Sequence, residues 1–497
     1  MLAGSHPILS CDEARTLEAE LFGGDEAKEW PAMQRAGRAI AAAVRQDFEE
    51  IGGFPANARV LVLAGKGHNG GDAFIAARAL LESFPTAQID VVFAFGERSL
   101  RLLAQRAWRE LSGSGVSPLS PSEFLRRDAA ATSYDLCLDG IFGFQFRPPA
   151  EPHIAELIAE VNALPIRLRA AVDLPSAGLF RADFTYATGC VKMPVVGAPE
   201  AGRVRYLDLG FFEVGGHVPV PALGDRVLTS KILAPLAALR PALGDKRTYG
   251  HVFIIAGSRS FPGAALMAVR SALRSGVGLV TAFVPESLVP AFAAVAPEAM
   301  WVGCPETPGG GLALEGRHLL TERLGRATAL LIGPGVGREP ETLALVADIV
   351  TASSVPLALD ADALQPAIVR SGTAPRVLTP HVGEFTRIAA SAELKKFSTE
   401  TKATVVLKGP VTRITDGMTI YHSFFGGPVL ARGGSGDLLA GLIGGLLAQT
   451  PNEPLLAAAR GVVWHGRAAD ALSRAHGQTA VQVTQLLDYL PVVLREL

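Results

Sequence analysis

Short apolar runs alternate with longer amphipathic ones along nearly the whole chain. RVLVLA (residues 59–64) is a compact β-rich run. After a glycine-rich turn, AFIAARALLESF places Phe74, Ala77, Leu80, Leu81 and Phe84 at helical spacing. IDVVFAF, YDLCLDGIF and RAAVDLPSAG repeat the pattern of a buried strand running into a polar or glycine-rich turn, and RVRYLDLGFF (residues 203–212) reads as the last strand of this series. EVGGHVPVPALGD (residues 213–225) loses all periodicity and reads as a linker. A second series follows: HVFIIAGS (residues 251–258), GLVTAFV, TALLIGPG, PLALDADAL, RVLTPH and TVVLKG. It closes with a glycine-rich turn opening an apolar helix, GGSGDLLAGLIGGLLA. Strands alternating with helices predict parallel sheets covered on both faces. The expected fold class is therefore α/β, with two three-layer α/β/α domains over residues 1–218 and 225–497.

Composition narrows the function class. A chain of 497 residues exceeds what one core supports, and 49% hydrophobic with 19% charged residues excludes disorder. The net charge of −2 leaves no electrostatic footprint for nucleic acid or for an anionic membrane. Cys11, Cys137, Cys190 and Cys304 lie far apart, so neither a disulfide framework nor a zinc site is expected. The first thirty residues carry Asp12, Glu13, Glu18, Glu20, Asp25 and Glu26, unlike a signal peptide. The most apolar run, Leu438 to Ala448, is too short to span a bilayer. A cytoplasmic protein acting on small molecules, as a homo-oligomer, is the expectation.

In the first half, the turn GKGHNGGDAF (residues 65–74) lets backbone approach a phosphate and offers it a helix N-terminus. Gly65, Gly67 and Gly70 also fit GxGxxG, which admits a dinucleotide dehydrogenase. That reading wants an acid at the end of the next strand, where neither Asp90 nor Glu97 stands. Asp139 and Asp173 sit at further strand ends, and Lys192 follows downstream. An Asp facing a Lys can shuttle a proton at a carbon beside an iminium or carbonyl. Asn69, Asp139 and Ser176 are oxygen donors of the kind hard cations favour. Singly, each Asp reads equally as a cap or a turn closer.

GKGHNGGDAFIAAR, LDGIFGF, AVDLPSAG and AGRVRYLDLGFF, after the MQRAG of residues 33–37, resemble the NAD(P)H-hydrate epimerase domain over roughly residues 8–215. The resemblance implies a Rossmann-like domain with a potassium ion held by Asn69, Asp139 and Ser176. It implies substrate contacts from His68, Asn69, Gly70, Gly71 and Asp72 and from the loop Gly143, Phe144, Gln145, Phe146, Arg147, Pro148 and Pro149. Asp173 is a further contact, and with Lys192 it forms the catalytic acid–base pair. His68 stands where that family usually has Asn, Ala73 where it has Gly, and Ala177 is inserted in its DxPSG.

In the second half, the amides of GGSGD (residues 433–437) suit a phosphoryl group in transfer, with Asp437 placed to take a proton from a hydroxyl. The plain alternative is a helix cap supplied by Ser435 or Asp437. TPHVGEF puts His381 and Glu384 on a turn after a strand, and KGPVT (residues 408–412) offers a lysine and amides to a nucleotide. His465 reads as structural. TYGHVFIIAGSRSFPGAALMA, APEAM, IGPGVG, LDADAL, LTPHVGEF, VVLKGPVT and GGSGDLLAG resemble the ribokinase-like superfamily, and within it the NAD(P)H-hydrate dehydratase domain, over roughly residues 225–495. The resemblance implies substrate contacts from Ala265, Gly335 and His381, with Asp437 as catalytic base. It implies nucleotide contacts from Lys408, Gly409, Pro410, Val411, Thr412 and Gly436, and Mg²⁺ with ADP or ATP. Arg432, in place of a usual Thr, falls beside the nucleotide.

Together the two resemblances imply a repair enzyme that interconverts the R and S hydrates of NADH and NADPH and dehydrates the S form. Two rivals stand beside it. A vitamin or sugar kinase shares the ribokinase-like fold, and a regulatory binding module could account for the first half without catalysis.

Overall fold

The computed structural model describes residues 1–113, 115–127, 133–213 and 224–497. The proposed linker, apart from Glu213, Gly224 and Asp225, lies outside the described residues. Two compact units emerge: a first of His6–Ala222 with Arg474–Gly477, and a second of Met1–Ser5, Leu223–Ser473 and Gln478–Leu497.

The first unit contains β1 (Ser5–Leu9), β2 (Arg59–Ala64), β3 (Gln88–Phe93), β4 (Val116–Leu119), β5 (Tyr134–Gly140), β6 (Ile166–Val172), β7 (Phe184–Thr188), β8 (Val191–Lys192) and β9 (Arg203–Leu207). Seven strands form a parallel sheet in the order β4-β3-β2-β5-β6-β7-β9. Val60, Leu61, Val62 and Leu63 are fully buried, as a strand covered on both faces must be. Each such side chain contributes about 1.5–3 kcal/mol of burial. The chain runs from β2 outward to β3 and β4, then returns to β5 on the other side. The sheet's switch point therefore lies between β2 and β5, where a ligand crevice is expected.

Around this sheet, α1 (Cys11–Phe22) starts in a reciprocal Ser10–Glu13 capping box, and α2 (Glu26–Phe48) is capped by Asp25. Met33, Ile40, Val44 and Phe48 of α2 fall on one face and join the core. α3 (His68–Ser83) begins six residues before the Phe74 at which the helical pattern becomes legible, so His68 to Asp72 form its first turns. β9 stops at Leu207, short of the expected Phe212, because Asp208 Oδ1 accepts a bond from Gly210 N and closes a turn. Phe211 packs on Phe22 instead. The short β8 pairs in parallel with β1, setting Lys192 beside Leu9.

The second unit holds β10 (Arg226–Leu228), β11 (His251–Ile255), β12 (Leu279–Pro285), β13 (Met300–Cys304), β14 (Ala329–Ile332), β15 (Leu357–Leu359), β16 (Arg376–Leu378), β17 (Ala403–Leu407), β18 (Thr412–Thr415) and β19 (Ile420–Ser423). Their order is β13-β12-β11-β14-β15-β16-β17-β18-β19-β10. The pairs from β13 to β17 are parallel, and β17-β18-β19 turns antiparallel. The helix Ser435–Gln449 is buried along nearly its whole length and packs on the helix Pro262–Arg274, whose Ala268 carbonyl lies where a side chain at Gly441 would go. Among the described residues no helix is long and apolar enough to cross a membrane, and all four cysteines are free.

Candidate active sites

In the first unit the chemistry gathers at the carboxyl ends of β2, β5, β6 and β7. No side chain caps α3, whose N-terminal amides follow Gly67 directly. His68, Asn69 and Asp72 line a cavity of about 440 Å³. Gly70 and Gly71 serve packing, since a side chain at Gly71 would strike the Met33 sulfur. Gly143, Phe144, Gln145, Phe146, Arg147 and Pro149 line the same cavity, whereas Pro148, joined to Pro149 by a cis peptide, does not.

Asp173, Thr188 and Lys192 close one wall. Lys192 Nζ lies 2.5 Å from Asp173 Oδ1 and donates to the Thr188 carbonyl at 3.1 Å. Both charged side chains are almost fully buried. Burial works to lower the lysine's pKa, but the charges of Asp173 and Cys190 hold it above its usual value. Asp173 itself sits at φ 67, a region a branched or bulky residue would resist.

Nearby, Asp139 is completely buried and accepts from Ser176 N (2.8 Å), Ser176 Oγ (2.6 Å) and Ile141 N (3.3 Å). Burial pushes its carboxyl up to about 6 against these bonds. Asn69 Nδ2 donates to the carbonyls of Phe142 (3.1 Å) and Val172 (2.7 Å). An amide, a carboxylate, a hydroxyl and two main-chain carbonyls thus converge, all oxygen-bearing groups.

Glu18 is a site residue the sequence did not disclose: it projects from α1 into this cavity and into an adjoining one of about 230 Å³. Thr188, at the end of a strand too short to read, is another.

In the second unit the helix Ser435–Gln449 is preceded by Gly434 at φ 92, and no side chain caps it. The capping alternative for Ser435 and Asp437 is therefore not realised; Ser435 N donates to the Arg432 carbonyl at 3.3 Å, and the amides of Gly436 and Asp437 stay available to an anion. Asp437 lies in the first turn. Burial pushes its carboxyl up to about 7, Asp360, Asp362 and Glu384 add to this, and Lys408 opposes it. Lys408 Nζ pairs with Asp360 Oδ1 at 3.0 Å and reaches the Gly436 backbone, where an added Cβ would stand 3.3 Å away.

His381 caps the helix Val382–Ala389: its Nδ1 accepts from Gly383 N at 3.0 Å, and Glu384 returns a bond to His381 N at 2.8 Å. A parallel bridge joins His381 to Lys408. Gly409, Pro410 and Val411 form the turn after β17, and Thr412 begins β18. Gly335 accepts from Ser258 Oγ at 2.8 Å, and Ala265 is fully buried in its helix. Arg432 donates to the carbonyls of Gln478 and Thr479, both at 2.7 Å, which ties down the turn it belongs to. His465, read from sequence as merely structural, is buried beside Ser435 and Lys408 with Nε2 unpartnered, and burial pushes it down to about 4.

Two parallel α/β units, each with ionisable groups gathered at the ends of its strands, define an enzyme with two sites. Residues 31–195 match the family described as YjeF-related protein N-terminus, and residues 252–492 match NAD(P)H-hydrate dehydratase. The bifunctional NAD(P)H-hydrate repair enzyme of Moorella thermoacetica is 34% identical over 94% of this chain and 92% of its own. The protein of the same description from Gloeobacter violaceus is 35% identical over 97% of both. A Bacillus subtilis ADP/ATP-dependent NAD(P)H-hydrate dehydratase, co-crystallised with ATP and Mg²⁺, is 30% identical over 52% of this chain and 93% of its own, with a TM-score of 0.45. The chain belongs to the family of bifunctional NAD(P)H-hydrate repair enzymes.

Proposed function

We propose that the chain returns hydrated NADH and NADPH to the working cofactors in two steps. The first unit interconverts the R and S hydrates, and the second dehydrates the S form at the expense of ADP or ATP. The observation that carries the reading is the presence in one chain of a buried Asp173–Lys192 pair in a cavity and of Asp437 beneath an uncapped helix N-terminus. A regulatory module has no use for the first, and a simple kinase no use for the pair.

Hydration of a dihydronicotinamide puts the hydroxyl on the carbon beside the ring nitrogen. In the second unit Asp437 takes the proton of that hydroxyl as its oxygen attacks the terminal phosphorus of the nucleotide. The amides of Gly436 and Asp437, with Lys408, receive the charge on the transferring group. The ring nitrogen's lone pair then expels phosphate, and loss of a proton from the neighbouring carbon restores the dihydropyridine. Mg²⁺, when bound with the nucleotide, neutralises phosphate charge. Asp360, Asp362 and Glu384 act on Asp437 with Lys408 as the opposing charge, but among the described residues no acidic cluster is gathered to hold a metal, so the ion would come with the nucleotide.

In the first unit Asp173 and Lys192 exchange a proton with the substrate, and the loop Gly143 to Pro149 with His68 and Asp72 orients it. Asn69, Asp139 and Ser176 would hold potassium, which would supply a fixed positive charge beside the buried Asp139 carboxyl; a carboxylate, a hydroxyl and an amide oxygen are ligands of the kind a hard cation takes.

The test is to incubate the full chain with a mixed hydrate pool, K⁺, Mg²⁺ and ADP or ATP. The expected result is recovery of the whole pool as NADH with an equal yield of inorganic phosphate. A stable phosphoester without NADH would overturn the reading.

A further inference from the structure

The Asp173–Lys192 pair accounts for one proton, yet the same cavity is lined by three more carboxyl groups, the exposed Glu151 and the less accessible Glu18 and Asp72. Glu18 is half-buried on α1, just past Leu17 of the buried stripe. Asp72 on α3 is only 7% exposed, and its Oδ1 has no hydrogen-bond partner among the described residues. Both line the two adjoining cavities.

Of the cations around them, Arg101 lines the larger cavity but not the smaller, and the others are engaged elsewhere. Lys192 is bound to Asp173, Arg15 and Arg147 to Asp12, and His68 to Glu29, while Lys66 lies over the Phe95 ring. A buried carboxyl without a cation either holds a proton or awaits a donor from a ligand.

The reaction needs such a group. The carbon to be inverted bears a hydroxyl and the ring nitrogen, so it is a hemiaminal. A base removes the hydroxyl proton, the carbonyl forms, the carbon–nitrogen bond breaks, and its electron pair passes to nitrogen, which takes a proton. Rotation presents the other face, nitrogen attacks the carbonyl, and the two protons return. Two proton-transfer groups are required, one at oxygen and one at nitrogen, and no outside oxidant or reductant.

We infer that Glu18 and Asp72, which line the same two cavities, carry the second proton of this epimerisation, complementing Asp173 and Lys192. The inference rests on the reading of the first unit as the epimerase. Burial pushes the Glu18 carboxyl up to about 7; Lys192 opposes this, and Asp173 and Glu29 add to it. Burial, with Asp173 and Glu18, raises Asp72 well above the usual carboxylate range. A carboxyl that titrates near neutrality is matched to proton transfer at cellular pH.

The experiment follows R-to-S exchange by the full chain at short times, across pH, with potassium present. Glu18→Gln is expected to lower kcat about 10²-fold or more, to leave KM within about threefold, and to erase the limb of the pH profile near 7. Asp72→Asn is expected to give the same pattern, and Glu18→Asp to restore part of the rate with the limb displaced. Circular dichroism and thermal melts of the same preparations show that the first unit of each variant folds. Should Glu18→Gln fail to fold, the displaced limb of Glu18→Asp carries the test. Parent-like kcat in Glu18→Gln, an unmoved limb in Glu18→Asp, or a loss confined to KM, as a carboxylate that only binds a sugar hydroxyl would give, overturns the inference. If the parent shows no exchange, the epimerase reading fails. If Asp173→Asn abolishes exchange while Glu18→Gln runs at the parental rate, only this inference fails.

Discussion

Lys192 Nζ and Asp173 Oδ1 meet at 2.5 Å inside the first unit, and the aspartate that meets the lysine is one held at φ 67. The contact and the backbone strain belong together: the left-handed turn after β6 aims the carboxyl back at β8. Asn tolerates that conformation, so Asp173→Asn keeps the turn while removing the charge. R-to-S exchange is expected to fall about 10²–10⁴-fold. Leaving Lys192 buried without its partner costs about 3–5 kcal/mol. Rates of epimer exchange and urea melts check the two effects, and the S hydrate should still be dehydrated. Parental exchange rates would remove Asp173 from the mechanism.

Replacing potassium by a bulky organic cation is expected to slow epimer exchange and lower thermal stability. At potassium 100-fold above its dissociation constant, the stabilisation is about 2.7 kcal/mol. The Asp139→Asn variant should lose the ion's effect on melting. Identical melting curves and rates in both buffers would dismiss Asn69, Asp139 and Ser176 as an ion site.

Asp437 serves as a base only when ionised, and its carboxyl is pushed up to about 7. Dehydration kcat/KM is therefore expected to drop about tenfold per unit as pH falls below 7. For stability the sign is opposite. A carboxyl raised in the folded state above its ordinary 3.8 favours folding at low pH, and that contribution fades as pH rises through 7. Asp437→Asn should abolish most dehydration, about 10²–10⁴-fold, and should flatten the part of the stability decline that falls between about pH 4 and pH 7. The helix loses no cap, because Asp437 supplies none. Near-normal NADH recovery in this variant would exclude it as the base.

Gly436→Ala would bring a methyl to 3.3 Å from Lys408 Nζ. A flexible lysine end can yield, so folding should persist. Its displacement weakens a charge-assisted contact of about 1.5–3 kcal/mol to the nucleotide. The measurement is the nucleotide KM, expected to rise about tenfold or more, with the KM for the S hydrate little changed.

The two parallel sheets were legible because strands buried on both faces read as continuous apolar runs, and the glycine-rich turns marked their ends. Asp139, Asp173 and Lys408 were singled out for the same reason, each standing at the end of such a run, and Asp437 because a glycine-rich turn opens its apolar helix. Lys192 was found in a strand of two residues, but its pairing with Leu9 spans almost the whole first unit and leaves no local trace. The start of α3 was misplaced because His68 to Asp72 carry turn residues, and only tertiary packing, as of Gly71 on Met33, makes them helical. Glu18 entered the sequence reading only as one of the acids that set the first thirty residues apart from a signal peptide: it lies beside the buried stripe of α1, and nothing in helical spacing shows that the face next to the stripe opens on a cavity. His465 escaped because a buried histidine in an apolar helix is most often a packing residue.

The placement of every reacting group of the first unit at one end of its parallel strands divides the sheet into a constrained edge and a tolerant one. The turns at the opposite edge, such as Pro55 to Ala58 before β2 and Leu164 to Pro165 before β6, touch none of the chemistry. Random mutagenesis with selection for cofactor repair should accumulate neutral replacements and length changes there, while the turns after β2, β5, β6 and β7 stay nearly fixed. The molecule's room for evolutionary drift is thus written in the direction its strands run.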